Sequence, residues 1–140
     1  GGTAHAFYLG VEGSVPAIPG MKPPLHALCV APFGIDEGAQ AQPCPNAFGL
    51  VVGESVRFRF FRSSTRRQDA VGTLLSTWDP GELSELPSLE AVLPAEGRTP
   101  GEVVTVRLQS RVTEVGTLEV EALPQGDDKP WRLTFDVRGP

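Results

Sequence analysis

Two histidines and two cysteines are the softest potential metal ligands in this chain: His5, His26, Cys29 and Cys44. Structural zinc sites normally draw their ligands from closely spaced pairs, and a His-x-x-Cys followed by a lone cysteine does not supply two such pairs. On a strand, His26 and Cys29 point to opposite faces, because they are three positions apart and successive side chains alternate. The set therefore indicates packing cysteines and a partly exposed histidine, and we expect no metal and no other cofactor.

The same residues contain the parts of a cysteine–histidine nucleophilic pair. A lowered thiol pKa needs a helix N-terminus or a fixed cation beside the sulfur, and the sequence offers neither at Cys29 nor at Cys44. Asp36 and Glu37 stand between two glycines, where turn chemistry explains them better than paired acid–base carboxylates do. The chain also lacks a glycine-rich phosphate loop, a serine elbow and a dinucleotide fingerprint. We expect no enzyme activity from these residues.

Five arginines and three phenylalanines interleave in one stretch: Arg57, Phe58, Arg59, Phe60, Phe61, Arg62, Arg66 and Arg67. Arginine and aromatic side chains together can stack single-stranded nucleic acid. Strand alternation gives a simpler interpretation, with phenylalanines in the core and arginines on the wet face. A net charge of -5 also gives no electrostatic reason to bind nucleic acid or an anionic membrane. The remaining alternative is a basic face formed by Arg57, Arg59, Arg66 and Arg67 that docks on a partner domain.

The composition is that of one soluble globular domain. The 140 residues suffice for a hydrophobic core, and hydrophobic residues make up 40% of them. Sixteen glycines and fourteen prolines without a repeat period fit many short strands joined by turns. No apolar run approaches the roughly 20 residues of a transmembrane helix, and no basic-then-apolar secretory signal opens the sequence. The start at Gly1-Gly2-Thr3 suggests a piece of a longer protein.

The cysteine count bears on the compartment. A single disulfide between Cys29 and Cys44 would suit a secreted protein, but a domain of this size does not need one. We therefore predict two free thiols and a cytoplasmic location. An extracytoplasmic immunoglobulin-like sandwich stays open as a weaker alternative.

The closing third of the chain carries the strongest secondary-structure signal. Three runs alternate apolar and polar residues: 103–109, 118–122 and 131–138. Alternation predicts strands of an antiparallel sheet with one buried and one wet face. The turn-forming PQGDDKP between the last two runs predicts a hairpin. Glu119 and Glu121 should then lie across from Arg132, each pair worth about 0.2–1 kcal/mol.

Turn signals divide the rest of the chain into further short elements. We predict strands at 6–12, 25–33, 48–61 (with a break at 53–55), 70–77 and 89–93. We predict loops at 13–24, 34–46 and 63–69, and a short helix that begins at Asp79 and ends before Pro87. The resulting fold class is all-β, an antiparallel β-sandwich of seven or eight strands with at most one short helix.

Three motifs, in order, resemble the β-sandwich substrate-binding domain of the seventy-kilodalton heat-shock chaperones, the DnaK-type family. YLGVEG at residues 8–13 is similar to the domain's SLGIE-type opening. VRFRFFRSSTRRQDAVGTLL at residues 56–75 resembles its hairpin, and residues 103–137 resemble its final meander. The likeness runs over most of the chain and is greatest to divergent bacterial members that lack the standard peptide-clamp sequence. SVPAIPGM at residues 14–21 stands in place of the family's arch segment.

The resemblance implies a function in the stress response, namely holding an extended apolar peptide by main-chain hydrogen bonds and apolar pockets. On matching positions, the groove would be lined by Val11, Phe33, Val56 and Phe58. The implied partners are unfolded or extended peptides and the protein's own nucleotide-binding domain, which would carry any ATPase activity outside this sequence. The alternative is a non-catalytic module that docks on an ATPase domain or on another protein.

Overall fold

The computed structural model describes residues 2–12, 19–20, 24–126 and 129–138. These residues form nine strands: β1 Ala6–Glu12, β2 Leu25–Ala31, β3 Gln42–Val51, β4 Ser55–Ser63, β5 Leu74–Leu75, β6 Ser84–Val92, β7 Val103–Val112, β8 Thr117–Pro124 and β9 Trp131–Asp136. They contain no helix, and hence none that is long and apolar enough to cross a membrane. The predicted all-β class is confirmed, with one or two strands more than expected.

The strands form two antiparallel sheets that pack face to face. One sheet has five strands in the order β5-β2-β1-β4-β6, and the other has four in the order β3-β7-β8-β9. Three aromatic rings join the sheets through the core. Phe60 stacks on Phe7 with ring centroids 5.8 Å apart and on Phe135 of the opposite sheet at 4.3 Å. The predicted sandwich thus has its main core between the sheets.

A second apolar cluster lies on the outer face of the five-stranded sheet. Its buried members are Ala6, Tyr8, Ala27, Cys29, Phe61 and Leu75. The segment 64–83, which leads from β4 to β6, supplies part of its cover, because Trp78 and Leu83 pack against the cluster. The Trp78 ring lies 6.0 Å from the ring of Phe61. This cover explains why β2 carries apolar residues on both faces.

The closing meander forms as predicted. β7, β8 and β9 are consecutive neighbours in the four-stranded sheet, and buried and less buried residues alternate along each. The Arg132 guanidinium lies 3.4 Å from carboxylate oxygens of both Glu119 and Glu121. The expected cross-strand ion pairs on the wet face are therefore present.

The helix predicted from Asp79 is wrong. The Asp79 amide donates to Oε1 of Glu82 at 2.8 Å, and the Glu82 amide donates to the Asp79 carbonyl at 3.0 Å. These are the contacts of a helix start, but Gly81 has a φ of 89°, which a right-handed helix cannot continue. The contacts close a single turn, and the following residues pair with β4 as strand β6.

Two strands contain prolines at positions where the sequence predicted a loop or the end of a helix. Pro43 and Pro45 belong to β3, and Pro87 belongs to β6. Each strand is the edge of its sheet, so a residue without an N–H is tolerated there. Both strands also shift register near these prolines. The predicted connection 34–46 therefore ends at residue 41, and the strand predicted at 89–93 begins at Ser84.

The hairpin expected over residues 56–75 does not form. β4 pairs with β1 and β6, whereas β5 pairs with β2. The strand predicted at 70–77 shrinks to two residues, because Gly72 adopts a φ of 97° and the Thr73 amide closes a turn onto Ala70 at 3.0 Å. The loop predicted at 13–24 and the arch segment at 14–21 fall largely outside the described residues.

Candidate functional site

The four residues predicted to line a peptide groove do not come together. Val11 and Val56 are partly buried against the core between the sheets. Phe58 is 4% exposed inside that core, so it cannot line an open groove. Phe33 packs instead against the outer cluster, where the Arg67 guanidinium lies 4.8 Å from its ring centroid. The two groups are separated by the five-stranded sheet.

Two of the four arginines predicted to dock a partner are engaged with β6. The Nε of Arg57 donates to the Ser88 hydroxyl at 2.9 Å. Arg59 donates two hydrogen bonds of 2.8 Å to the two oxygens of Glu85, a bidentate contact. These contacts lower the pKa of the Glu85 carboxyl. They hold β6 against β4 on the outer face of the five-stranded sheet.

The other two arginines lie beyond the far end of β4. Arg66 contacts Asp69 at 2.6 Å and Glu82 at 2.7 Å, so its charge is compensated within the chain. Arg67 covers Phe33. Roughly 20 Å of strand separates Arg57 from the β4 end near Arg66. The four arginines therefore do not form one basic face.

A polar cluster that the sequence analysis missed joins Tyr8 to the segment 64–83. Tyr8 is fully buried, and its hydroxyl donates to Oδ2 of Asp69 at 2.6 Å. The Nε of Arg66 donates to the same oxygen at 2.6 Å. Burial and the hydrogen bond to Asp69 raise the pKa of Tyr8 well above its usual range. The one available signal was the only tyrosine of the chain within an apolar run, which on burial needs a partner for its hydroxyl.

Beside this cluster, a cavity of about 430 Å³ is lined by Thr65, Arg66, Arg67, Gln68, Asp69 and Glu82. Burial acts to raise the pKa of the Asp69 carboxyl, but hydrogen bonds from Arg66 and Tyr8 outweigh burial and hold the pKa below its usual value. A carboxylate stabilised in this way is a poor proton acceptor. The arrangement therefore fastens the segment 64–83 and does not provide a general base.

The cysteines and histidines do not assemble into a site. Cys29 and Cys44 are both free and buried, the first in the outer cluster and the second in the main core. Burial raises the pKa of the Cys29 thiol to about 12, and the nearby Asp69 adds to the effect. Burial also lowers the pKa of His5. Within the described part of the chain, no three histidine, cysteine or acidic residues are grouped so that they could hold a metal ion.

A cleft opens between the edge strands β6 and β9. Its volume is about 510 Å³. Apolar residues of β6 and β9, and the residue that follows β6, border it: Leu89, Ala91, Val92, Leu93, Trp131 and Leu133. The Trp131 indole donates to the Pro94 carbonyl at 3.0 Å, and the Arg98 guanidinium lies 5.3 Å from its ring centroid. The rim carries charge, because Glu96, Lys129 and Arg132 also border the cleft.

Every second residue of β9 directs its main-chain amide and carbonyl away from β8, toward the free edge of the sheet. The Val137 amide donates to the Gly116 carbonyl at 3.1 Å, and the register of β9 with β8 continues from this pair without a shift. In an antiparallel pair, hydrogen-bonded positions alternate. The main-chain amides and carbonyls of Trp131, Leu133 and Phe135 therefore face β8. Those of Arg132, Thr134 and Asp136 face the open edge.

Among the four edge strands of the described sheets, β9 is the least protected against pairing. β3 and β6 contain prolines and register shifts, and β5 has only two residues. Such features discourage the addition of a further strand. β9 has six residues, no proline and an unbroken register with its neighbour. No pattern in the sequence marks this edge, because its existence depends on which strand ends the sheet.

The open edge of β9 and the adjoining apolar cleft are thus the best-formed candidate site in the described residues.

The resemblance to the DnaK-type domain stays a prediction from its three sequence motifs. Comparison with known proteins finds no relative that could test it. No protein-family model, no curated protein and no solved structure matches this chain.

Proposed function

We propose that this domain is a non-enzymatic binding module of a chaperone-like protein that holds extended polypeptide segments by strand addition at β9. The observation that carries the proposal is the unpaired β9 edge beside an apolar cleft. The mechanism is the one implied by the chaperone resemblance, but the site is at the opposite end of the chain from the groove expected there.

The main chain supplies most of the attraction. Arg132, Thr134 and Asp136 present outward amides and carbonyls at every second position, which is the spacing that an added strand requires. Each main-chain hydrogen bond contributes a net stabilisation of about 0.5–1.5 kcal/mol. Because backbone groups are the same in every sequence, binding at this edge tolerates many different segments.

The cleft adds a preference for apolar side chains. An added strand places alternate side chains on the core side of the four-stranded sheet, toward the cleft. The partly buried Leu89 and Ala91, which pack against the core between the sheets, border the cleft on that side. Covering apolar surface contributes about 25 cal/mol per Å². Segments that alternate apolar and polar residues should therefore bind better than uniformly polar ones.

The setting of the module is part of the proposal. Both cysteines are free and buried, which suits a reducing compartment, and we place the domain in the cytoplasm. A nucleotide-binding domain elsewhere in the full protein would supply any ATPase activity. We assign Arg57 and Arg59 a structural role and no role in docking a partner, because both already bind side chains of β6.

Titration with a fluorescently labelled heptapeptide of alternating apolar and polar residues tests the proposal. Strand addition requires that N-methylation at every second peptide position abolishes binding, while methylation at the other positions leaves it intact. Thr134→Pro removes an outward amide and should abolish binding, whereas Thr134→Val keeps the amide and should bind normally. Absence of saturable binding at millimolar peptide, or equal effects of both methylation patterns, would contradict the proposal.

A further inference from the structure

The exposed side chains of β9 are self-complementary. Arg132, Thr134 and Asp136 are the three residues whose side chains lie on the wet face and whose main-chain groups point to the open edge. We infer that the segment bound at this edge is β9 of a second copy of the chain. This inference rests on the proposed strand addition and names its partner.

The charges select one antiparallel register. When the two-fold axis passes between the two Thr134 residues, Arg132 of each copy lies opposite Asp136 of the other. All three pairs are then hydrogen-bonded positions, and each pair exchanges both main-chain bonds. Opposite charges at directly facing positions stabilise a strand pair, and like charges destabilise it.

The neighbouring registers are disfavoured by the same residues. A shift that centres the axis on Arg132 brings two guanidinium groups face to face, and a shift that centres it on Asp136 does so with two carboxylates. A shift of one residue would place the outward main-chain groups of one copy opposite residues of the other copy whose main-chain groups already bond to β8. Axes through Leu133 or Phe135 also join outward positions, but they set Thr134 opposite Arg132 or Asp136 and form no facing ion pair. The register centred on Thr134 is therefore the one in which opposite charges face each other.

The charged side chains remain available for such contacts. Arg132 is 59% exposed, and its contacts with Glu119 and Glu121 are both 3.4 Å long. Asp136 is 66% exposed and contacts Arg138 at 3.6 Å. In the paired copies, Arg132 would lie between its own glutamates and the facing carboxylate. The pairing thus extends an alternating network of charges and leaves no like charges facing each other.

The apolar faces match as well. Antiparallel pairing keeps facing residues on the same side of the sheet, so Leu133 lies opposite Phe135 on the core side. The two four-stranded sheets then form one continuous sheet through β9. Both clefts open on the same side of this sheet, and each copy narrows the cleft of the other. The expected product is a reversible, concentration-dependent dimer.

Charge exchange provides a sharp test by sedimentation velocity over a dilution series. Wild type should dimerise, and Asp136→Arg should weaken the dimer at least about tenfold, because two facing pairs become repulsive. Arg132→Asp should do the same. An equimolar mixture of the two variants should form a heterodimer, since opposite charges face each other again, and the double variant R132D/D136R should dimerise like wild type. Circular dichroism establishes that each variant is folded.

The outcomes separate this inference from the proposed function. A monomer at all concentrations that binds the labelled heptapeptide would overturn homotypic pairing and leave strand addition standing. A monomer that binds no peptide would overturn both. A dimer that both single charge variants retain would overturn pairing through β9. A synthetic peptide of residues 131–137 should inhibit dimerisation of wild type, and failure to do so while binding to the protein would also count against the inference.

Discussion

The Tyr8 hydroxyl and the Asp69 carboxylate lie 2.6 Å apart although 61 residues separate them in the sequence. Tyr8 belongs to β1, in the middle of the five-stranded sheet, and Asp69 belongs to the segment that crosses its outer face. Arg66 donates to the same carboxylate oxygen at 2.6 Å. The bond therefore ties the crossing segment to the sheet beneath it.

Replacing Tyr8 by Phe should lower the free energy of unfolding by about 1.5–3 kcal/mol, because a hydrogen bond to a charged, partly buried acceptor is lost while the ring is kept. Urea denaturation measures the change. The same substitution on an Asp69→Asn background should cost less, since the acceptor is no longer a carboxylate. Equal costs in the two backgrounds would show that the negative charge of the acceptor does not strengthen the bond.

Acid should weaken the domain through Asp69. Burial alone would raise the pKa of this carboxyl, but hydrogen bonds from Arg66 and Tyr8 hold it below the ordinary value of 3.8. A depressed pKa in the folded state gives stability that is present above the unfolded value and is lost as pH falls through the folded value. The stability advantage of wild type over Asp69→Asn should therefore be constant near neutrality and shrink below about pH 4. The control Glu37→Gln, at an exposed turn residue, should not change the acid limb.

Both thiols should be unreactive in the folded protein. Cys29 and Cys44 are 0% and 3% exposed, and burial raises the pKa of the Cys29 thiol to about 12, so little thiolate forms at neutral pH. A thiol-specific chromogenic reagent should titrate two thiols in denaturant and react very slowly in its absence. Fewer than two thiols under denaturing, non-reducing conditions would indicate a disulfide and contradict the free-cysteine structure.

The central aromatic stack should dominate core stability. Phe60 is fully buried between Phe7 and Phe135, and it links the two sheets. Phe60→Ala should lower the free energy of unfolding by about 3–5 kcal/mol, because it removes the contacts and leaves a cavity. Val115→Ala, at a residue that is 67% exposed, is the matched control and should change stability by less than about 0.5 kcal/mol. Thermal or urea denaturation of both variants measures the difference.

The fold was predictable where the pattern is local. Strict alternation in residues 103–109, 118–122 and 131–138 predicted three strands, their buried faces and the contact of Arg132 with Glu119. Predictions that needed the neighbours of a strand were less successful. Pro87 suggested the end of a helix, yet it lies in a strand, because β6 is an edge where the missing N–H has no consequence.

The candidate site was not predictable for the same reason. Val56 and Phe58, which the resemblance implied as groove residues, do share one face of β4, but that face packs against the other sheet and is not an open groove. The cleft instead combines residues from β6 and β9, which lie about forty positions apart and do not share a motif. Whether a strand has a neighbour on each side follows from the arrangement of the whole chain.

The cover on the outer face of the five-stranded sheet has a consequence for how the domain opens. Four consecutive residues of β1 (Ala6, Phe7, Tyr8 and Leu9) are at most 1% exposed, because this strand has an apolar layer on either side. The segment 64–83 forms one of those layers with few residues of regular strand, so it can detach while the sandwich beneath stays closed. In hydrogen exchange, its amides should form an early-exchanging unit, and those of β1 should be among the last to exchange. We therefore expect the domain to behave as three layers, of which the outermost is the least stable.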